Sequence, residues 1–339
     1  MGSGYLEYQI AASRLLQNKM PKISVVIPCY NTANYIARCL ESLEHQIYKD
    51  FDVFLIDDCS SDNTIKVIEE YRCGSSMTIH LLKNDQNIGP SASRKRGIEC
   101  SNAEFICFCD SDDWYDQDYL SEMSDAQTVD QANIVLTSFR LVLESGRKLD
   151  RLNVYLDSDL ENRRRMMIKA PDSLCLMMIE RRILVEVPHP DMRNGEDMAL
   201  IPLLIMKSNK IASVNKCLYN YYCRGNSASM KPSMKMIESL EESFNFIEIN
   251  VSSEFKLEKE FIGIRNLLYG ALINLFKFSY NTRIANDLVD NFETIFPRWY
   301  QNISIKELPK SKRVFLCCVK YRLWLITKLL SQIHTILLD

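Results

Sequence analysis

Four short apolar runs constrain this chain more than anything else in it. They are Ile23–Pro28 (ISVVIP), Asp52–Asp57 (DVFLID), Met77–Leu82 and Glu104–Cys109 (EFICFC). A strand with one wet face alternates apolar and polar residues, whereas runs this continuous belong to strands covered on both faces. Between them, apolar residues recur at helical spacing: Ile36, Leu40 and Leu43, then Ile65 and Ile68 before Glu69, then a segment over Ser91–Glu99. Asp62 stands where a helix N-cap is wanted. Strands alternating with helices make βαβ units, so the first 115 or so residues are expected to form an α/β half with a mostly parallel open sheet flanked by helices.

Beyond a fifth strand at Ala132–Phe139 the alternation stops. Residues 140–175 are charged and irregular, with a basic cluster at Arg163-Arg164-Arg165, and a further strand is expected at Ile211–Leu218. From about Ser233 the pattern is helical, over 233–250, 256–280, 285–296 and 312–338. With 339 residues, this gives an N-terminal arm (1–21, with a short helix or arm over 5–20), an α/β domain (22–232, its halves meeting near 125) and a helical extension (233–339). Lys+Arg 41 against Asp+Glu 44 gives a net charge of −3 and no field that would attract nucleic acid. The twelve cysteines are scattered without a Cys-x-x-Cys pair, and Met1–Met20 has no apolar stretch followed by a cleavage site. Both features fit buried thiols in a reducing cytoplasm. His45, His80, His189 and His334 are dispersed and form no metal spacing. Asn87–Arg94 has a single Gly, so neither a P-loop nor a dinucleotide fingerprint is present.

In open α/β sheets, ligands bind beyond the carboxyl ends of the strands. Those ends carry Pro28-Cys29-Tyr30-Asn31, Asp57-Asp58-Cys59-Ser60 and Asp110-Ser111-Asp112-Asp113. Each acid alone can be a turn or cap residue. Together they repel unless a cation or polar ligand offsets them. If strand geometry persists, Asp110 and Asp112 share a face and a cleft. Two such hard oxygen ligands can hold Mg²⁺ or Mn²⁺ and leave coordination positions for phosphates.

Four motifs, in order and spacing, resemble those of family 2 glycosyltransferases: Val25–Asn31, Ile56–Thr64, Asn87–Arg94 and Cys109–Trp114. The resemblance covers residues 22–125 tightly and about 175–232 more loosely. It implies a GT-A fold and an inverting, metal-dependent transfer from a nucleotide-sugar, UDP-linked by family habit, to a hydroxyl of a glycan or lipid-linked saccharide in surface polysaccharide synthesis. By the same resemblance, Pro28, Cys29, Tyr30 and Asn31 line the nucleotide pocket, and Asp57 and Asp58 sit by base and ribose. Arg94 reaches the base or diphosphate and Asp110 the ribose, with Asn87, Gly89 and Ser111 in the same binding set. Asp112, with Asp113, takes the Mn²⁺ or Mg²⁺. Cys59 stands where many relatives carry Gly, and Cys29 where a small β-branched residue is common.

Gly195-Glu196-Asp197, ahead of the apolar run Met198–Met206, is similar to the family's acidic pair. This places the catalytic base on Asp197, with Glu196 as its neighbour. A helix N-terminus also favours acids without any catalysis, and it lowers a carboxylate's pKa, whereas a general base works best with a raised one. Tyr221–Ser229 resembles a segment that closes over the diphosphate, with Arg224 as the phosphate contact; a solvated loop arginine is the alternative. Met177-Met178 and Arg181-Arg182 fall where relatives shape the acceptor site, or belong to a core helix with a charged face.

Lys306 to Lys328 holds seven basic residues and one acid, Glu307. Read as one helix, 312–338 puts Arg313, Lys320, Thr327, Lys328 and Ser331 on one side. Phe315, Leu316, Val319, Leu323, Ile326, Leu330 and Ile333 fall opposite, interrupted by Arg322. It is too charged to span a bilayer. The segment 306–338 either lies on the inner face of an anionic membrane, as a peripheral contact, or packs on protein. Two rival functions share the architecture: a catalytically silent nucleotide-sugar-binding or scaffolding protein, and a sugar nucleotidyltransferase. The second needs a Gly-rich basic loop after the first strand, which Pro28–Asn31 lacks.

Overall fold

The computed structural model describes residues 21–224 and 232–336. The arm expected over 5–20 and the segment Gly225–Ser229 lie outside the described residues.

The expected strands appear as β1 (Ile23–Cys29), β2 (Phe51–Asp57), β3 (Thr78–Lys83) and β4 (Phe105–Phe108). They are joined by helices α1 (Ile36–Glu44), α2 (Thr64–Gly74) and α3 (Pro90–Cys100). β1 lies between β2 and β4, all parallel, with β3 outside β2. The chain runs outward through β2 and β3 and returns to the other side of β1, so the order reverses at β1 and β4, where α/β sheets open a crevice. Nearly every side chain of β1, β2 and β4 is buried, as the continuous apolar runs require. Asp62 caps α2 from one position further out than usual: its carboxylate accepts from the N–H groups of Thr64 (2.9 Å) and Ala33 (3.1 Å).

Past β4 the sheet turns mixed. It continues through β5 (Trp114–Tyr115), helix α4 (Tyr119–Asp130), the long β6 (Ile134–Leu143), β7 (Lys148–Arg151), β8 (Met177–Glu180) and β9 (Ile211–Cys223). The order is β3-β2-β1-β4-β8-β6-β9-β5, with β7 on β6. β8 is antiparallel to both β4 and β6. This corrects the helical reading of Met177-Met178: both are fully buried at the centre of the sheet. Arg181 and Arg182 open the short helix α5 (Arg181–Glu186) that follows. The stretch 140–175 also contains short helices over 157–161 and 163–169.

Helix α6 (Glu196–Lys207) and the extension α7 (Met234–Asn250), α8 (Lys256–Gly263), α9 (Leu272–Phe278), α10 (Thr282–Ile295), α11 (Lys310–Lys320) and α12 (Trp324–Ile336) complete the chain, with a π-helical stretch Ile264–Ala271 between α8 and α9. Two apolar cores result, and α7 feeds both. Its Ile247 joins the sheet's core, while Ile237, Leu240 and Phe244 join the helical one with Trp299, Phe315 and Trp324. The single helix read over 312–338 is two. Arg322 adopts a left-handed φ of +54° between α11 and α12. Of the apolar side read from that wheel, Phe315, Leu316 and Val319 pack on protein, in the helical core.

α7 meets α6 at one tight place. Gly195, with φ +80°, precedes α6, and a Cβ added there would lie 2.5 Å from Ser243 Oγ of α7. That hydroxyl donates to the carbonyls of Gly195 (2.9 Å) and Ser239 (2.7 Å). The extension therefore fixes the position at which α6 starts.

Candidate active site

The crevice is built first by its loops. Asn31, with φ +52°, uses its side-chain oxygen to accept from the N–H of Ser61 (2.8 Å) and Asp62 (3.3 Å), tying the loop after β1 to the loop after β2. Cys59 takes a φ of +63°, the left-handed geometry for which Gly is the cheap residue. The turn is kept at the cost of local strain. Asp58 is buried with both carboxylate oxygens occupied, by Asn84 Nδ2, Ile88 N and Gly89 N, each at 2.8 Å. It clamps the 84–89 loop, and Asn87 adds a 3.4 Å bond to its carbonyl. Three of its four acceptor sites are thus spent on the loop, and holding that loop is the role the structure gives it. Asp57 differs: Oδ2 accepts from Ser60 N (3.1 Å), while Oδ1 is buried with no partner among the described residues. Cys29 is buried, its thiol pushed up well above the usual range, chiefly by burial, so it offers the crevice only backbone. Tyr30 is 49% exposed at the crevice mouth.

At the end of β4 the acids part company. The strand stops at Phe108, and Asp113 N bonds Asp110 O (3.0 Å) in a turn. The same-face rule for positions i and i+2 therefore does not set these side chains. Asp113 points inward. Its oxygens accept from Tyr219 OH (2.6 Å) and Tyr222 N (2.7 Å), and burial first, then Asp110 and Asp112, push its carboxyl up. This corrects its reading as a metal ligand. Asp112 ion-pairs with Arg224. Burial and Asp110 raise its pKa, with Arg224 pulling the other way. Ser111 is buried.

Arg94 of α3 is the bridge of the site. One guanidinium nitrogen pairs with Glu196 and another with Asp110 (2.6 Å), while Asp197 Oδ1 lies 3.9 Å away. Burial opposes its charge, but Asp110, Asp197 and Glu196 together hold the proton firmly. Arg94 was expected on the base or diphosphate; here its guanidinium is spent on the carboxylates of Asp110 and Glu196. Glu196 is likewise engaged.

Asp197 is left as the reactive member. Its side chain is 21% exposed, yet Oδ1 is buried without a hydrogen-bond partner among the described residues. Burial drives its carboxyl from 3.8 up to about 7, reinforced by Glu196 and Asp110 and resisted by Arg94. A position in the first turn of a helix argues for a low value, and here burial wins. A carboxylate with an oxygen that makes no hydrogen bond and that titrates near neutrality has the properties of a general base.

Arg38 carries no motif that would single it out in the sequence. It lies on α1, over the rings of Trp114 (3.9 Å to the centroid) and Tyr222 (4.4 Å), and donates to the Asp112 carbonyl (2.7 Å). Tyr35 underlies Arg224 at 5.1 Å. An aromatic–arginine wall therefore backs Asp112.

The profile described as Glycosyl transferase family 2 matches residues 24–187. Glycosyltransferase GlyA of Streptococcus pneumoniae is 27% identical over 267 residues, covering 75% of this chain and 38% of GlyA. The putative teichuronic acid biosynthesis glycosyltransferase TuaG of Bacillus subtilis is 26% identical over 227 residues, 63% of this chain and 84% of TuaG. The chain thus spans under two-fifths of GlyA but most of TuaG. Residues 1–349 of Staphylococcus aureus TarS, solved with UDP-GlcNAc, match with a TM-score of 0.61 at 20% identity, over 93% of this chain and 91% of that one. With its parallel half, its mixed second half and its crevice at β1 and β4, the structure has the same fold. Residues 24–187 thus match glycosyl transferase family 2, and the chain has the GT-A fold.

Proposed function

We propose that the protein is an inverting glycosyltransferase of surface-polysaccharide synthesis, moving a sugar from a UDP-sugar to a hydroxyl of a glycan or lipid-linked saccharide. One observation carries this reading: Arg94 ties the acid pair of α6 to Asp110 at the end of β4, so a base with an oxygen that makes no hydrogen bond stands beside the nucleotide crevice. The TarS match with UDP-GlcNAc and the polysaccharide relatives support the donor and pathway classes.

Asp197 takes the proton of the acceptor hydroxyl as that oxygen attacks the anomeric carbon, opposite the departing diphosphate. Arg94 and Glu196 hold Asp197 in place. The unpaired Oδ1 of Asp57 accepts the imide N–H of a uracil, Tyr30 lies along the base, and Asp110 faces the ribose through the oxygen not given to Arg94. The donor set fits a divalent cation: Asp112 is a largely buried carboxylate beside a second acid, offset by Arg224 and, less, by Arg38. Mg²⁺ and Mn²⁺ are often held by one or two carboxylates plus substrate phosphates. Asp112 would hold the ion, which when bound supplies the charge that stabilises a leaving diphosphate. Arg224, drawn off Asp112, is placed to meet the phosphates.

The test is a thermal-shift panel of UDP- and GDP-sugars with Mn²⁺, followed by release of free nucleotide from whichever binds. A ligand at one hundred times its Kd adds about 2.7 kcal/mol to the folded state. UDP-sugars should raise the Tm and be turned over slowly by water or acceptor. If no nucleotide-sugar shifts the Tm, the reading falls. Binding without any turnover identifies a silent binding protein instead.

A further inference from the structure

The last helix is apolar on two faces, with Trp324 and Leu330 on the helical core and a second set outside. α12 faces the protein with Trp324, Thr327 and Ser331, all buried. The hydroxyls of Thr327 and Ser331 satisfy themselves on the carbonyls four residues back, at 3.0 and 2.9 Å. Its outer face carries Leu325 (73% exposed), Ile326, Leu329 (57% exposed) and Ile333. These positions share one helix side, and Leu323 and Tyr321, just ahead of the helix, are exposed as well. Single exposed apolar residues are ordinary, but a contiguous stripe on a helix that buries hydroxyls calls for a cover.

The rim shows which cover. Lys320 Nζ lies 3.7 Å from the ring centre of Tyr300 and 5.1 Å from that of Tyr321, and Lys328 lies 5.0 Å from Tyr280. All three tyrosines are exposed. From Leu308 to Ile336 there are six cations (Lys310, Lys312, Arg313, Lys320, Arg322, Lys328) and no acid. Of these, Arg322 is neutralised, by Asp290 (2.7 Å) and Glu293 (3.0 Å) of α10. An apolar stripe edged by lysine–tyrosine pairs is complementary to an anionic lipid surface, with chains below and headgroups at the rim. An isologous contact with a second copy would bring one basic rim against another. α12 has 13 residues, about 20 Å at 1.5 Å each, short of a ~30 Å hydrocarbon layer. Among the described residues no helix is long and apolar enough to cross a membrane.

We propose that Leu323, Leu325, Ile326, Leu329 and Ile333 lie in the interfacial layer of an anionic membrane, with Lys320 and Lys328 at its headgroups. The face differs from that of a continuous helical wheel, because Phe315, Leu316 and Val319 belong to the core.

Flotation of the full chain with phosphatidylcholine vesicles, with and without phosphatidylglycerol, tests this without nucleotide or turnover. It therefore stands or falls apart from the transferase reading. The protein should float with the anionic vesicles. Leu325→Ser with Leu329→Ser, both at exposed positions, should reduce binding at least tenfold while leaving the Tm unchanged. Lys320→Gln with Lys328→Gln should remove most of the preference for phosphatidylglycerol. Absence of binding to either vesicle overturns the proposal, as does a serine variant that floats like the parent. Sedimentation showing a dimer that the serine variant dissociates overturns it in favour of a second copy.

Discussion

Replacing Asp197 with Asn should make the protein more stable near neutrality while abolishing transfer. The Asp197 carboxyl is raised from 3.8 to about 7, first by burial, then by Glu196 and Asp110. The unfolded chain keeps the ordinary value, so between about pH 4 and 7 the folded state binds more protons, and stability falls as the pH rises. At about 1.4 kcal/mol per pH unit, the full burden above pH 7 is about 4 kcal/mol. At pH 5 only about 2 kcal/mol of it has developed. Asn carries no charge but removes one of the three anions around Arg94, so a gain of about 2–4 kcal/mol is expected at pH 8, shrinking by half or more at pH 5. Urea titrations of both proteins at the two pH values read the difference. Transfer by the parent should climb towards pH 7 as the base ionises and be lost in the variant. A variant no more stable at pH 8, or a gain that does not shrink on acidification, would refute burial as the source of the raised pKa. An active variant would move the base elsewhere.

Three further outcomes follow from the geometry. Gly195→Ala combines a left-handed φ of +80° with a Cβ 2.5 Å from Ser243 Oγ, which two carbonyls hold in place; it should cost about 2–4 kcal/mol. An unchanged urea midpoint would mean α7 does not press on the start of α6. Cys59→Gly releases strain at φ +63° and should add up to about 1 kcal/mol, the left-handed penalty less the entropy Gly brings to the unfolded chain; a lower Tm contradicts it. Asp112→Ala should remove the Mn²⁺-dependent part of nucleotide affinity and leave the metal-free part nearly intact. Calorimetry with and without Mn²⁺ decides this, and equal enhancement by Mn²⁺ in both proteins would take Asp112 out of the ion's site.

What could be read from the sequence divides along the range of the interactions. β1, β2 and β4 were legible because burial on both faces writes itself into consecutive residues. β8 was not, because four residues (MMIE) are too few to show a period, and the arginines after them suit a helix equally well. The acids were found, but not their fates. Asp58, Asp112 and Asp113 look alike in sequence, yet one clamps a loop, one pairs with an arginine, and one is buried on Tyr219. These assignments depend on partners 26 to 112 residues away. Asp197 shows the clearest reversal, since a local rule pointed to a low pKa and tertiary burial raised it. The tail errs for a related reason. Arg322 was the one charge that spoiled the apolar face of the continuous wheel, and it is the residue whose left-handed φ divides the helix. Once the turn is there, Arg322 is drawn to Asp290 and Glu293, α12 restarts on a new rotation, and Leu325 and Leu329 face outward. A charge misplaced on an otherwise clean amphipathic face is thus better taken as a place where the period resets than as an exception to it.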